Sequence, residues 1–304
     1  MREKVYLPIF LVGAGLLLYL GRDLIAKSTV VAFGLTFAGT TAVAVLGMAL
    51  YRVQSELRAS RHELARKEAE LAFALQVQQA LFPRQFPADG GLEFAAVCVP
   101  ARGISGDYYD VMPLPDGRLA FAIADISGKG ISAAILMSNL QAVLRMLAAA
   151  GHPPGEVCAQ LNRHLCQVSV DSRFATLFYG DWDPTQRILS FVNAGHLTPI
   201  LHGSRGGQRL EASGPPLGLF PEVEHQVGKV ALQSGDMMVL YSDGITEARD
   251  RQEEDFGEAR LEAVIAAHVD KPMREIQEQV LKAVRNWSGP DAEDDMTLLL
   301  VRAR

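Results

Sequence analysis

Residues 118–137 read RLAFAIADISGKGISAAILM, and the fold turns on how this stretch is divided. An apolar run of strand length closes on Asp125, a glycine-rich turn follows at Ser127 to Gly130, and a helical pattern starts at Ile131. SGKG resembles part of a phosphate-binding loop, but the spacing fails. Such a loop needs Gly five residues before its Gly-Lys pair and Ser or Thr after the Lys, and those positions hold Ile123 and Gly130. The stretch is therefore a strand, a sharp turn and a helix, with a carboxylate where the strand emerges.

The same grammar extends in both directions. LEFAAVCV, RFATLFYGDW, RILSFVNA, DMMVLYSD and MTLLLVRA are β-branched, aromatic or apolar runs ended by turn residues. Helical stretches are expected over 131–150, 155–168, 258–268 and 273–287, with Pro153 and Pro154 separating the first two. Strands in runs with helices inserted in blocks predict an α+β sandwich rather than a doubly wound sheet. Residues 83–304 are enough for one domain of about 220 residues.

Acidic residues mark the edges of these runs. They are Asp107 and Asp110 in GDYYD, Asp125, Asp243 in LYSDGITEA, and Asp294 with Asp295 in DDMTLLLV. Singly, each reads equally well as a turn residue, which Asp favours. Gathered by the fold, they would repel one another unless hard divalent cations were bound among them. That pattern points to an oxygen-ligand metal site and metal-assisted hydrolysis.

The front of the chain differs. Residues 30–50 read VVAFGLTFAGTTAVAVLGMAL without a charge. At about 1.5 Å per residue they cross a hydrocarbon core of about 30 Å. Residues 5–20 form a second, shorter apolar run, and Arg22, Asp23 and Lys27 lie between the two. Arg2 and Lys4 precede the first run, while Arg52, Arg58, Arg61, Arg66 and Lys67 follow the second. The expectation for 1–51 is a two-span hairpin in the inner or plasma membrane, both ends and the catalytic domain cytoplasmic. A signal peptide and a buried core hairpin are the competing readings.

Residues 52–82 lack Gly and Pro and predict a helical connector ending near Pro83. Leu57, Leu64 and Leu71 recur every seven residues, but the alternate seam positions include Ser60 and Lys67. This is either a lone amphipathic helix or a weak parallel coiled coil making a homodimer. The formal net charge of −6 and the lack of a basic, aromatic-interleaved cluster argue against a nucleic-acid partner. Cys98, Cys158 and Cys166 have no CxxC spacing and read as reduced thiols.

Taken in order, GDYYD, ADISGKGISAAILM, NAGH at Asn193 to His196, GPPLG at Gly214 to Gly218, LYSDGITEA and DDMTLLLV carry a resemblance. Together they resemble the SpoIIE/RsbU branch of the PPM-type metal-dependent protein serine/threonine phosphatases. LQVQQALFP, residues 75–83, resembles the helix end that enters such domains. The resemblance covers about residues 80–304 and implies two antiparallel sheets with helices on the outer faces. It also implies two Mn²⁺ or Mg²⁺ ions. By that resemblance Asp125 bridges the ions, Ile126 lends its carbonyl, Asp243 and Asp294 complete the ligands, and Asp107 binds directly or through water. Asp110 and Asp295 are then second-shell residues, Arg102 a candidate for substrate phosphate, and His196 a candidate proton donor or a structural histidine. The family's PAREVGGDYYD reads PARGISGDYYD here, with Gly103 for an acid and Ser105 for a glycine.

The implied function is a membrane-anchored phosphatase that hydrolyses phosphoserine or phosphothreonine with metal-activated water. Its partner would be a phosphorylated regulatory protein of the anti-sigma-factor-antagonist type. The alternative is an inactive phosphatase-like module that binds a phosphoprotein. A third possibility is a hydrolase of small phosphate esters.

Overall fold

The computed structural model describes residues 12–13, 15–16, 19, 21–22, 29–101, 103–169, 173–203, 209–289 and 293–304. The chain divides into two compact units between Ala69 and Glu70. Most of the apolar run at 5–20, and Arg102, lie outside the described residues.

The long helix α1 (Thr29–Gln79) joins the apolar run at 30–50 and the connector without a break. Its most apolar 18-residue window has a mean hydropathy of 1.9 and is wholly unburied. Val53, Leu57 and Leu64 are also exposed. The helix runs to Gln79, and a turn at Ala80 and Leu81 leads to Phe82, which precedes Pro83 and is steered away from helical geometry. The peptide N–H of Leu81 closes the last turn on the Gln78 carbonyl at 2.9 Å. The second compact unit begins at Glu70, so the final turns of α1 belong with it.

Strands β1 (Leu92–Val99), β2 (Tyr108–Pro113) and β3 (Leu119–Ile126) lead into helices α2 (Ile131–Ala149) and α3 (Pro154–Val168). Then come β4 (Ala175–Asp183), β5 (Ile188–Ala194), β6 (Ile200–His202), β7 (Gly228–Ala231) and β8 (Met237–Tyr241). The chain ends through α4 (Asp243–Thr246), α5 (Gly257–His268), α6 (Met273–Ser288) and β9 (Met296–Ala303). All pairings are antiparallel, in a four-stranded sheet ordered β1-β9-β8-β6 and a five-stranded sheet ordered β2-β3-β4-β5-β7. The expected α+β sandwich of two antiparallel sheets is what the chain forms.

Strand β3 explains the layering. Phe121 and Ile123 enter the core between the sheets with Phe94, Phe178, Leu240 and Leu299. The intervening Ala120, Ala122 and Ala124 face the helices, where Leu140 and Leu144 of α2 and Leu161 of α3 cover them. Large side chains fill the inter-sheet gap and small ones let the helices approach. A strand buried on both faces has no polar alternation, which is why it reads as a continuous apolar run. The opposite sheet is covered by α5 and α6 through Leu261, Ile265, Ile276 and Val280. Stacked rings tie β4 to β5, with Phe178 and Phe191 centroids 5.4 Å apart, worth about 1 kcal/mol beyond the area they bury. Helix α2 is apolar and long enough to span a membrane but is half buried in this core, so it is a core helix.

Candidate metal centre and active site

The acidic residues come from chain segments far apart in sequence. Asp125 lies in the last turn-ward residues of β3, and Ile126 closes that strand. Asp243 opens α4 directly after β8, and Asp294 and Asp295 immediately precede β9. β8 and β9 are hydrogen-bonded neighbours, so Asp243 and Asp294 emerge side by side at one sheet end. Ser242 fixes that end: its hydroxyl donates to the Asp295 carbonyl at 3.1 Å and accepts from the Thr297 N–H at 2.9 Å. Gly244 is required here, because a Cβ would lie 2.2 Å from the Asp295 carbonyl oxygen.

Electrostatics place the carboxylates in one neighbourhood. Asp125 is pushed up to about 6, by burial first and then by the charges of Asp243, Asp294 and Asp295. Asp243 is raised by burial, Asp294 and Glu247. Asp107 is raised well above the usual carboxylate range, by burial and then by Asp125. Asp107 and Asp125 titrate as a coupled pair, each raised by burial and by the other acidic groups beside it. Asp107 is 2 % exposed, and its Oδ2 has no hydrogen-bond partner. A buried carboxylate oxygen left without a donor fits a cation better than it fits solvent.

The set is not closed. Among the described residues no three carboxylate, imidazole or thiol side chains converge tightly enough to hold one ion as they stand. Asp294 is engaged elsewhere: its Oδ2 accepts from the Lys129 ammonium at 2.6 Å. Lys129, Asp243, Gly244, Glu247, Arg249 and Asp294 line one cleft of about 210 Å³.

Asp295 organises the neighbouring loop. Its Oδ1 accepts from the Ala101 N–H at 2.8 Å, and its Oδ2 accepts from the Ser105 hydroxyl at 2.8 Å and the Gly106 N–H at 2.9 Å. The Ser105 hydroxyl also accepts from the Asp107 N–H at 2.9 Å. Ser105, standing where related sequences carry glycine, thus joins Asp295 to Asp107. The Gln78 amide grips Ser105 from behind, donating to its carbonyl at 2.7 Å and accepting from its N–H at 2.9 Å.

Asp110 and His196 are held by partners of their own. Asp110 is fully buried and accepts two hydrogen bonds from Arg145 of α2, at 2.6 and 2.8 Å, and one from the Tyr108 hydroxyl. Strand alternation sends Tyr108, Asp110 and Met112 to the helix-covered face of β2, whereas Asp107 precedes the strand. Asp110 therefore fastens α2 to the sheet through Arg145. His196 is buried, and burial pushes it down to about 4, so it is neutral. Its Nδ1 pairs with the Thr176 hydroxyl at 2.8 Å and its N–H donates to the Asn193 side chain. The same Thr176 hydroxyl also lies 3.5 Å from the Asp125 carbonyl, and His196 Nε2 is buried without a partner among the described residues.

Sequence reasoning missed Gln78, Ser105 and Lys129 as site components. The signal for Lys129 was present in SGKG but was set aside with the phosphate-loop reading.

Two packed antiparallel sheets with carboxylates at one end define a PP2C-type phosphatase fold. The SiaA PP2C domain of Pseudomonas aeruginosa superposes with a TM-score of 0.71 at 19% identity, over 79% of this chain and 98% of that one. The RsbU and RsbW domains of Rv1364c from Mycobacterium tuberculosis give a TM-score of 0.62 at 29% identity, over 70% of this chain and 60% of theirs. Residues 115–304 match the family Stage II sporulation protein E (SpoIIE). Phosphoserine phosphatase RsbU of Bacillus subtilis is 31% identical over 261 residues, covering 85% of this chain and 76% of its own. The chain belongs to the SpoIIE family of PP2C-type serine/threonine phosphatases.

Proposed function

We propose that this chain is a membrane-anchored phosphatase that removes phosphate from serine or threonine of a phosphorylated regulatory protein. The partner is of the anti-sigma-factor-antagonist type. The observation that carries the reading is that Asp107, Asp125, Asp243 and Asp294 lie close enough to raise one another's proton affinity, with Asp243 and Asp294 lining one cleft and Asp107 buried behind them. Asp125, the Ile126 carbonyl, Asp243, Asp294 and Asp107 would hold two Mn²⁺ or Mg²⁺ ions, whose all-oxygen preference this donor set meets. When bound, such ions supply an activated water and neutralise phosphoryl oxygens.

The remaining residues position and shape. Asp295 and Ser105 fix the 101–107 loop, Gly244 lets the Asp243 turn lie against the Asp294–Asp295 peptide, and the Lys129 side of the cleft admits a phosphoryl group. No side-chain nucleophile is required.

For the anchor, the support is the uncharged run at 30–50, unburied within α1, and the basic residues that follow it. The chain is read as two spans over 1–51, a connector over 52–82 that pairs two copies, and a cytoplasmic catalytic domain over 83–304. Release of full-length protein by alkaline carbonate extraction would remove the anchor.

The activity test uses full-length protein in detergent with p-nitrophenyl phosphate and a phosphoserine protein, under Mn²⁺, Mg²⁺ or EDTA. Metal-dependent phosphate release from the phosphoprotein is the expected result. Binding of phosphoprotein without release favours the inactive module, and activity on the small ester alone favours a small-molecule hydrolase.

A further inference from the structure

Lys129 sits at the crest of the turn between β3 and α2, and glycines on both sides with positive φ let the turn fold sharply. Its ammonium lies 2.6 Å from Asp294 Oδ2 and 3.3 Å from the Glu293 carbonyl. The two partners come from different sheets, since Lys129 follows β3 and Asp294 precedes β9. Asp294 also faces the charges of Asp125 and Asp243, so a positive neighbour offsets their repulsion. Both side chains are about half exposed, 48% and 41%, and the pair opens onto the cleft that holds Asp243. An exposed ion pair of this kind is weak and readily exchanged. A lysine ammonium on its flexible stem swings away without disturbing the backbone.

We propose that Lys129 is a stand-in cation: its ammonium holds Asp294 until a divalent ion takes that carboxylate, and then turns to the phosphate group of the substrate. The inference rests on the metal-site reading above and adds a residue to it. It gives Asp294 two alternative cationic partners, the Lys129 ammonium and an ion. It also gives the cleft a mobile positive group that becomes free only when the ion is in place, and a phosphate oxygen is a natural acceptor for it.

The test is Mn²⁺ binding to full-length protein in detergent at low ionic strength, read from the free-ion electron paramagnetic resonance signal. Inorganic phosphate binding to the Mn²⁺-loaded protein is read by calorimetry. Lys129→Gln is expected to bind Mn²⁺ about two- to fivefold more tightly, the scale of an exposed ion pair. It is expected to bind phosphate about threefold or more weakly, from the loss of one charged hydrogen bond. Lys129→Arg keeps the charge and is expected to bind Mn²⁺ as the wild type does. A merely structural lysine would weaken both ligands together. Unchanged or weaker Mn²⁺ binding by Lys129→Gln, while Asp243→Asn loses the ion, overturns the stand-in and leaves the metal site standing. Wild-type protein that binds no Mn²⁺, or Asp243→Asn that binds it normally, overturns both.

Discussion

Gln78, in the last turn of the long helix, pairs through both ends of its amide with the backbone of Ser105. The hydroxyl of that same serine accepts from Asp107 and donates to Asp295. One side chain therefore connects the helix end to the loop that carries a candidate ligand. The connection is buried, with Gln78 at 4 % exposed and Ser105 fully covered.

Gln78→Ala leaves a buried N–H and a buried carbonyl without partners, a cost of about 1–3 kcal/mol. The expected outcome is a lower melting temperature together with weaker Mn²⁺ binding, because the loop that sets Asp107 is released. Calorimetry and Mn²⁺ titration check this. A destabilised variant with wild-type Mn²⁺ affinity would show that the loop holds its position without the glutamine.

Stability of the metal-free protein depends on pH through Asp125. The folded group releases its proton near pH 6, whereas the unstrained value is 3.8. Between those values the folded state binds more protons than the unfolded one, so stability falls as pH rises through that window. Asp125→Asn is expected to melt higher than wild type in EDTA at pH 7.5, to lose much of the slope between pH 4 and 6, and to show no turnover. Retained turnover would remove Asp125 from the ligand set.

Arg145→Ala strands the buried carboxylate of Asp110, a change of about 3–5 kcal/mol. Adding Asp110→Asn should recover part of the loss. Mn²⁺ affinity measured on whichever variant stays folded is expected to match wild type, since this pair secures α2 and touches none of the candidate ligands. Loss of the ion without loss of stability would return Asp110 to the site.

Gly244→Ala forces a methyl group to within 2.2 Å of the Asp295 carbonyl oxygen. The backbone before β9 must shift, and Asp243 and Asp294 separate. Turnover and Mn²⁺ binding are both expected to fall by more than tenfold, which corresponds to about 1.4 kcal/mol or more of lost affinity. Near-normal binding would mean that the 243–246 turn moves freely.

The strands that were easiest to read were the long, mainly apolar runs. LEFAAVCV and MTLLLVRA match β1 and β9 residue for residue, because continuous apolar runs ended by turn residues leave few alternatives. Strand β2, whose YYDVMP carries an acid and a proline, and the short strands β6 and β7, three and four residues long, were not legible. Such short pieces are specified by the strand beside them rather than by their own pattern. The site divided in the same way. Asp125, Asp243 and Asp294 stood out because each ends or precedes an apolar run. Asp110 carried the same local signature, and only its strand face sent it to Arg145 instead.

What the sequence determined by itself is the order of the six longer apolar strands and of the four main helices after the connector, the family motifs and the uncharged run at 30–50. These follow from local periodicity and residue type, which act over a few neighbours. What tertiary structure decided is which polar side chains meet. Ser105 reaches Asp295 across 190 residues, and Lys129 reaches Asp294 across the two sheets. Such meetings depend on strand pairing, facing and loop closure among segments far apart in the chain, and no local pattern records them.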